Sequence, residues 1–138
     1  MLRVLLKYYF SQIQKGVIFM ERNYELLKYK KNSDLPSKAG IYVLENKKNK
    51  KVYIGCSADI RARIAAHRSL LLSGKHHSSE LQYAFNKDNL VVKVLAVLPH
   101  ANQSLLKEAE LLLIQASPHI FPKGLMNKRL LNYASYNQ

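Results

Sequence analysis

From residue 40 onward the apolar positions fall into blocks whose period changes. Ile41-Tyr42-Val43-Leu44 and Val52-Tyr53-Ile54 are rich in β-branched and aromatic residues, the composition of pleated, half-buried strands. Between them Asn46 to Lys51 are all polar and mostly lysine, so the two runs predict a hairpin. After Asp59 the period becomes helical. Ile60, Ile64 and Leu71 share one face, with Ser57 or Asp59 as N-cap and Gly74 as the stop. A second helix is expected over Ser79 to Asn86, then a strand over Val91 to Leu98 closed by Pro99. A third helix is expected from near Ser104 to Ser117, with Pro118 ending it. Hairpin, helices, strand and helix in that order predict an α/β (α+β) fold. Its sheet is small, three-stranded and mainly antiparallel, flanked by helices.

The N-terminal part is less regular. Residues 21 to 38 are polar and basic, with Pro36 after Asn32-Ser33-Asp34, and predict a linker or a short helix ending there. In the first twenty residues Lys7 and Lys15 interrupt the apolar letters. No stretch approaches the ~20 apolar residues of a spanning helix, and no small-residue cleavage site follows an apolar core. An amphipathic surface helix and a true start at Met20 are both open. The expected organisation is a basic extension over 1–37, one domain over 38–128 and a basic, polar tail over 129–138.

Charge changes the picture most. The 138 residues carry 22 basic and 9 acidic side chains, a formal net charge of +13. That excess favours a polyanionic partner through attraction to phosphates and counterion release, with RNA and an anionic membrane surface as competing partners. Cys56 is the sole cysteine, which excludes an internal disulfide and a cysteine-based zinc site. As a residue type it reads as a small buried hydrophobe.

Several side chains carry chemistry within this frame. A turn centred between Lys47 and Lys48 makes Tyr42 and Tyr53 cross-strand partners on one face; a slip of one residue separates them. Such a pair either packs or points two phenols into a site, where a phenol can orient a water or take its proton. Arg63 and His67 lie one turn apart, at the edge of the apolar stripe. A guanidinium there can grip a phosphate and an imidazole can move a proton near neutral pH. His76 and His77 either decorate the surface or reach a phosphate. On the third helix Glu108 faces solvent, whereas Glu110 has Leu106 and Ile114 one turn either side. A carboxylate in that setting takes an arginine or a cation such as Mg²⁺ as partner.

Taken in order, these residues resemble the GIY-YIG nuclease family. The likeness runs through Gly40-Ile41-Tyr42 and Tyr53-Ile54-Gly55, then Ser57, Arg63 and His67. It continues through His77-Ser78-Ser79 with "LQYAFN", Glu110 on its helix, and Asn127 after Gly124. It covers about residues 38 to 128. The resemblance implies a metal-dependent endonuclease that hydrolyses DNA phosphodiester bonds with one divalent ion, Mg²⁺ (or Mn²⁺), on Glu110. Arg63 would steady the scissile phosphate. Tyr42 would activate water, with His67 assisting or sharing that role, and Tyr53 would orient phosphate or water. Gly55, His77 (with His76 as its alternative) and Asn127 would be supporting residues. Lys47, Lys48, Lys50 and Lys51, with Arg61 and Arg68, would hold the DNA backbone without reading sequence.

A non-catalytic nucleic-acid-binding module on the same scaffold is the alternative. No zinc-finger spacing or nameable helix-turn-helix is present. That leaves substrate choice to DNA shape, to a DNA-targeting partner protein, or to neither. Cutting a duplex takes two scissions, by a homodimer or by sequential nicking. No stable membrane association is expected, and the location expected is cytoplasmic, nucleoid-associated at most.

Overall fold

The structure, a computed structural model, describes residues 18–19, 23–26 and 34–127. Apart from Ile18 and Phe19, the expected helix over residues 1 to 20, the start at Met20 and the tail over 129–138 lie outside the described residues. The elements are β1 (Ile18–Phe19), β2 (Asn23–Glu25), β3 (Gly40–Asn46), β4 (Val52–Ser57), α1 (Ile60–Leu72), α2 (Ser79–Asn86), β5 (Leu90–Val97) and α3 (Gln103–Ile120).

The three long strands run in the order β5-β3-β4, antiparallel throughout, as expected. The two short strands β1 and β2 add to the outer edge of β5. Residues 21 to 38 therefore do not form only a linker. Asn-Tyr-Glu is too short and polar to signal a strand by pattern. The open edge of β5 templates it, and the short strands cover that edge. Tyr24 of β2 and Leu26 just after it are buried in the core beside Tyr42 and Val92. At the opposite edge, 124–127 cover β4. Val52 bridges Leu125, and the Met126 amide donates to the Val52 carbonyl at 2.7 Å.

Each face of the sheet has its own core. Ile41, Val43, Ile54 and Leu95 pack against Leu106, Ala109, Leu113 and Ile120 of α3. Tyr42, Leu44, Val92 and Val94 pack against Ile60, Ile64 and Leu71 of α1 and Leu81 and Phe85 of α2. A register shift beside Ile41/Tyr42 leaves Leu95 without a partner on β3 and turns it, with Ala96, toward α3.

Local chemistry explains the helix ends. Asp59, not Ser57, caps α1: its Oδ1 accepts from the Ala62 amide at 3.1 Å, and Ser57 Oγ braces its backbone. Gly74 follows the end of α1 at φ 71°, the left-handed position glycine favours. Pro118 does not stop α3, which runs on to Ile120. The proline sits in the last turn, where few further bonds depend on it. Ile120 and Phe121 are buried and hold that turn against the sheet. The buried stripe of α3 is Leu106, Ala109, Leu113, Ala116 and Ile120.

Candidate active site

The hairpin register decides how the tyrosines meet. Tyr42 lies opposite Gly55, and Tyr53 opposite Leu44, so the turn is centred between Lys48 and Asn49, one residue beyond the centre that would pair the tyrosines directly. Tyr42 and Tyr53 are diagonal neighbours rather than direct partners. Because the displacement between them is two residues, both still face α1 and α2. The Tyr42 ring lies across Gly55. A Cβ at residue 55 would collide with Tyr42 Cζ and its hydroxyl, so glycine is what lets the phenol cross the strand to the sheet edge. Gly40 is needed for a related reason, since a Cβ there would meet the Ala96 carbonyl and Ile60 Cδ1.

A chain of buried polar groups stands behind Tyr42. His67 completes the apolar stripe of α1 between Ile64 and Leu71 and is 6% exposed. Its Nε2 is 2.8 Å from Tyr42 Oη, and its Nδ1 is 2.9 Å from His76 Nε2. The Ser78 amide donates to His76 Nδ1 at 3.0 Å. Burial pushes the Tyr42 phenol well above its ordinary range, aided by Tyr53 and opposed by Arg63. Burial also pulls His67 down to about 3, with His76 and Arg63 adding to the effect. Burial and then His77 bring His76 to about 4.

In front of Tyr42, a cleft of about 390 Å³ wraps around the β4 edge. Because β4 is the last strand, α1 on one face and α3 on the other both reach it. Tyr42, Gly55, Arg63, Lys107, Glu110 and Asn127 line this one cleft. Arg63 is exposed on α1, and no hydrogen bond or ion pair among the described residues engages its guanidinium. Glu110 is half-buried, and its Oε2 accepts from Cys56 Sγ at 2.7 Å. Burial and that bond push the Cys56 thiol up to about 12, so it stays a donor. A mobile loop position would aim Glu110 less well than this helix, whose next turns are fixed by Leu106 and Leu113 in the core.

The family model for the GIY-YIG catalytic domain matches residues 38–119, well over half of the chain. The chain belongs to the GIY-YIG family. Intron-associated endonuclease 1 of Enterobacteria phage T4 is 38% identical over 65 residues, which are 46% of this chain and 26% of that protein. The match thus spans about a quarter of that relative's length. Among solved structures, a mutant of the catalytic domain of intron endonuclease I-TevI aligns with a TM-score of 0.49 and 30% identity, over 61% of this chain and 89% of that one. A second structure of the catalytic domain of homing endonuclease I-TevI aligns with 0.49 and 27%, over 63% and 97%.

The GIY-YIG signature residues do not all reach the cleft. Tyr53 turns to the histidines, its ring 5.6 Å from that of His67 and its hydroxyl 3.3 Å from His77 Nε2. His76 is the histidine inside the buried chain, and His77 stacks on its outer side at 4.4 Å. The loop therefore favours His76, the alternative, over His77 as the direct support of His67. Adjacent histidines in a loop give no sequence signal for which one turns inward. Asn127 stands at the cleft rim with both ends of its amide on Ile54, accepting from N and donating to O at 2.8 Å each. Its support is to hold the β4 edge.

The basic residues separate into different places. Lys47, Lys48 and Lys50 are exposed at the hairpin tip, beyond the Glu45–Val52 pair that itself lies three ladder steps, about 10 Å, from Gly55. Lys48 lines a second groove beside Tyr83 and Lys87. Lys51 pairs with Glu80 at 3.1 Å. Arg61 donates from Nε to the Leu35 carbonyl at 2.8 Å, which ties the preceding segment to α1. Arg68 is half-buried. The cation that the sequence reading missed is Lys107, one turn before Glu110 and facing the same cleft. Helical spacing from Glu110 was the available signal. Cys56 was also missed, since nothing in the sequence pairs it with Glu110.

Proposed function

We propose that this chain hydrolyses DNA phosphodiester bonds with one divalent cation, Mg²⁺ or Mn²⁺, held on Glu110. The observation that carries the reading is the convergence of Tyr42, Arg63 and Glu110 on one cleft at the β4 edge. Membership of the GIY-YIG family and the +13 charge support it. The donor set also fits such an ion. One carboxylate in an open cleft suits a hard cation that keeps its waters and takes substrate phosphate as a further ligand. When bound, that cation supplies charge neutralisation at the phosphate oxygens.

The chain's own residues do the rest. Arg63 presents a guanidinium to the non-bridging oxygens of the scissile phosphate, where negative charge grows in the transition state. Lys107 holds the adjoining phosphate on the other wall. Tyr42 offers its oxygen to the attacking water and handles its proton, and His67 orients that oxygen from behind. Cys56 holds one carboxylate oxygen of Glu110 in place. Tyr53 and His77 border the site and guide the incoming strand. The exposed hairpin lysines add affinity without sequence reading.

The test is a cleavage panel with plasmid, nicked, flap and junction DNA. Cleavage is expected only with Mg²⁺ or Mn²⁺, is stopped by chelation, and falls at least ~100-fold in Glu110→Ala. Absence of cleavage on every substrate, with salt-dependent binding intact, would leave a binding module in place of an enzyme.

A further inference from the structure

The buried chain behind Tyr42 has a direction, fixed at its far end by the backbone. Ser78 caps α2 in an extended conformation (φ −93°, ψ 111°), with its Oγ accepting from the Leu81 amide. Its own N–H points back at His76 Nδ1, 3.0 Å away. Gln82 braces the same loop, accepting from the His76 amide at 3.4 Å and donating to the Leu71 carbonyl at 2.9 Å.

A peptide N–H can only donate, so His76 Nδ1 carries no proton. A neutral imidazole carries one proton, which therefore sits on His76 Nε2. That nitrogen faces His67 Nδ1 at 2.9 Å, so His76 donates and His67 Nδ1 accepts. The proton of His67 is then on Nε2, 2.8 Å from Tyr42 Oη. The opposite sequence, with Tyr42 donating to His67 and His67 to His76, would leave His76 without a proton on either nitrogen. That species is an imidazolate, far too basic to persist in water-like conditions. Depressed basicity keeps both rings neutral near pH 7, which is the state the argument needs.

We propose that the Ser78 amide, acting through His76, locks His67 in its Nε2–H tautomer and so makes the Tyr42 oxygen an acceptor whose own proton points into the cleft. The inference rests on the reading of Tyr42 as the group that handles the water's proton. It deepens that reading, because it assigns His67 the part of donor. His67 does not take the Tyr42 proton. It steadies the negative oxygen left when solvent water in the cleft takes that proton, after which the phenolate accepts the proton of the attacking water, as other orienting groups do for a general base. The remaining charged or titratable groups acting on Tyr42 are Tyr53 and Cys56 from β4, Arg63 from α1 and Glu110 from α3. Those acting on His67 are Arg63, His76 and His77. His76 is a positioning residue, remote from the cleft.

The decisive measurement is long-range ¹H–¹⁵N correlation of the imidazoles in the labelled full chain at pH 7. Both His67 and His76 are expected to show a proton-bearing Nε2 and a bare Nδ1. His76→Leu removes the donor, so the His67 tautomer should mix or switch. Turnover on DNA should then fall roughly 10- to 100-fold, the usual loss for a group that orients a functional imidazole, and the pH–rate profile should move with it. His76→Gln can accept from Ser78 and donate to His67, so it should retain the tautomer and recover most of the rate. A wild-type spectrum with the proton on His67 Nδ1 overturns the proposal. So does an unchanged tautomer and rate in His76→Leu. The spectrum is independent of cleavage, so a failure of the nuclease reading would be seen separately. Should His76→Leu not fold, the wild-type spectrum and His76→Gln still decide.

Discussion

The two faces of the sheet are built by different rules. Under α3 the buried set is almost wholly apolar, from Ile41 and Leu95 to Leu113 and Ile120, broken by Ser117 and by the Cys56–Glu110 pair at the rim. Under α1 and α2 the core holds Leu44, Ile64 and Phe85, but also Tyr42, His67, His76 and Ser78 in one hydrogen-bonded series. The first face is specified by volume, and any good packing of similar size would serve. The second is specified by partners, because each buried polar group is expensive without one. The difference shows what each face does for the cleft. The apolar face aims a carboxylate by rigid packing, and the polar face sets the state of a phenol. They meet at β4, the edge strand, which both helical layers overhang.

The sharpest way to test this division lies at the cleft, outside both cores. Arg63 is exposed, so Arg63→Ala should leave the melting temperature within about a degree or two, the usual result for an exposed site. DNA cleavage should nonetheless fall by about 100- to 1,000-fold, as when one preorganised charge-stabilising group is removed. Paired melting and plasmid-nicking assays check both parts. A variant that melted much earlier would show that Arg63 also holds the fold.

Much of this arrangement was legible in the sequence because the relevant forces are local. The hairpin, the α1 stripe of Ile60, Ile64 and Leu71, and the strand ending before Pro99 follow from period and turn chemistry. Glu110 was separable from Glu108 because its neighbours one turn away are apolar. The unread part depends on contacts between distant segments. β2 is a strand because β5 offers it an open edge, not because Asn-Tyr-Glu is strand-like. The choice of His76 over His77 depends on where the Ser78 amide points, and the thiol on Glu110 joins residues 54 positions apart. A turn that paired the tyrosines directly would sit one residue earlier than the one observed. The Lys48 and Lys51 amides, donating to Asn46 Oδ1 and Asn49 Oδ1, fix the loop instead.

Next in size is a test of the apolar face alone. Leu113 is fully buried against the sheet, so Leu113→Ala should destabilise by about 2–5 kcal/mol. Cleavage per folded molecule should be nearly unchanged below the melting transition, since the polar series is on the other side. Urea unfolding followed by fluorescence, alongside initial rates, measures both. A large rate loss at full folding would mean that volume on this face also tunes the chemistry.

Gly55→Ala attacks the place where the faces meet. The added methyl is driven into the Tyr42 ring, so overpacking should cost roughly 1–3 kcal/mol. The Tyr42–His67 bond should break with it, and cleavage should fall together with stability rather than apart from it. The diagnostic is a changed His67 imidazole resonance. An unaltered resonance with full activity would mean that the ring has room to move and that glycine is not required there.

The smallest effect separates the faces by acid. Burial lowers the folded pKa of His67 to about 3, against 6.5 ordinarily. Above pH 6.5 neither state binds the proton and this group adds no pH dependence. Below 6.5 the unfolded chain takes up a proton that the folded chain refuses, so stability falls as pH falls. The slope for one such group is about 1.4 kcal/mol per pH unit, and it levels off near the folded value. His76 acts in the same direction. The consequence is local as well as global. Amide exchange in α1 and α2 should quicken between pH 6.5 and 4.5, beyond the intrinsic change in exchange rate, before it does in α3. In His67→Gln/His76→Gln the slope of stability over that interval should flatten. If the doubly substituted chain loses stability just as steeply, protonation of carboxylates is responsible, and the polar face is no more acid-sensitive than the apolar one.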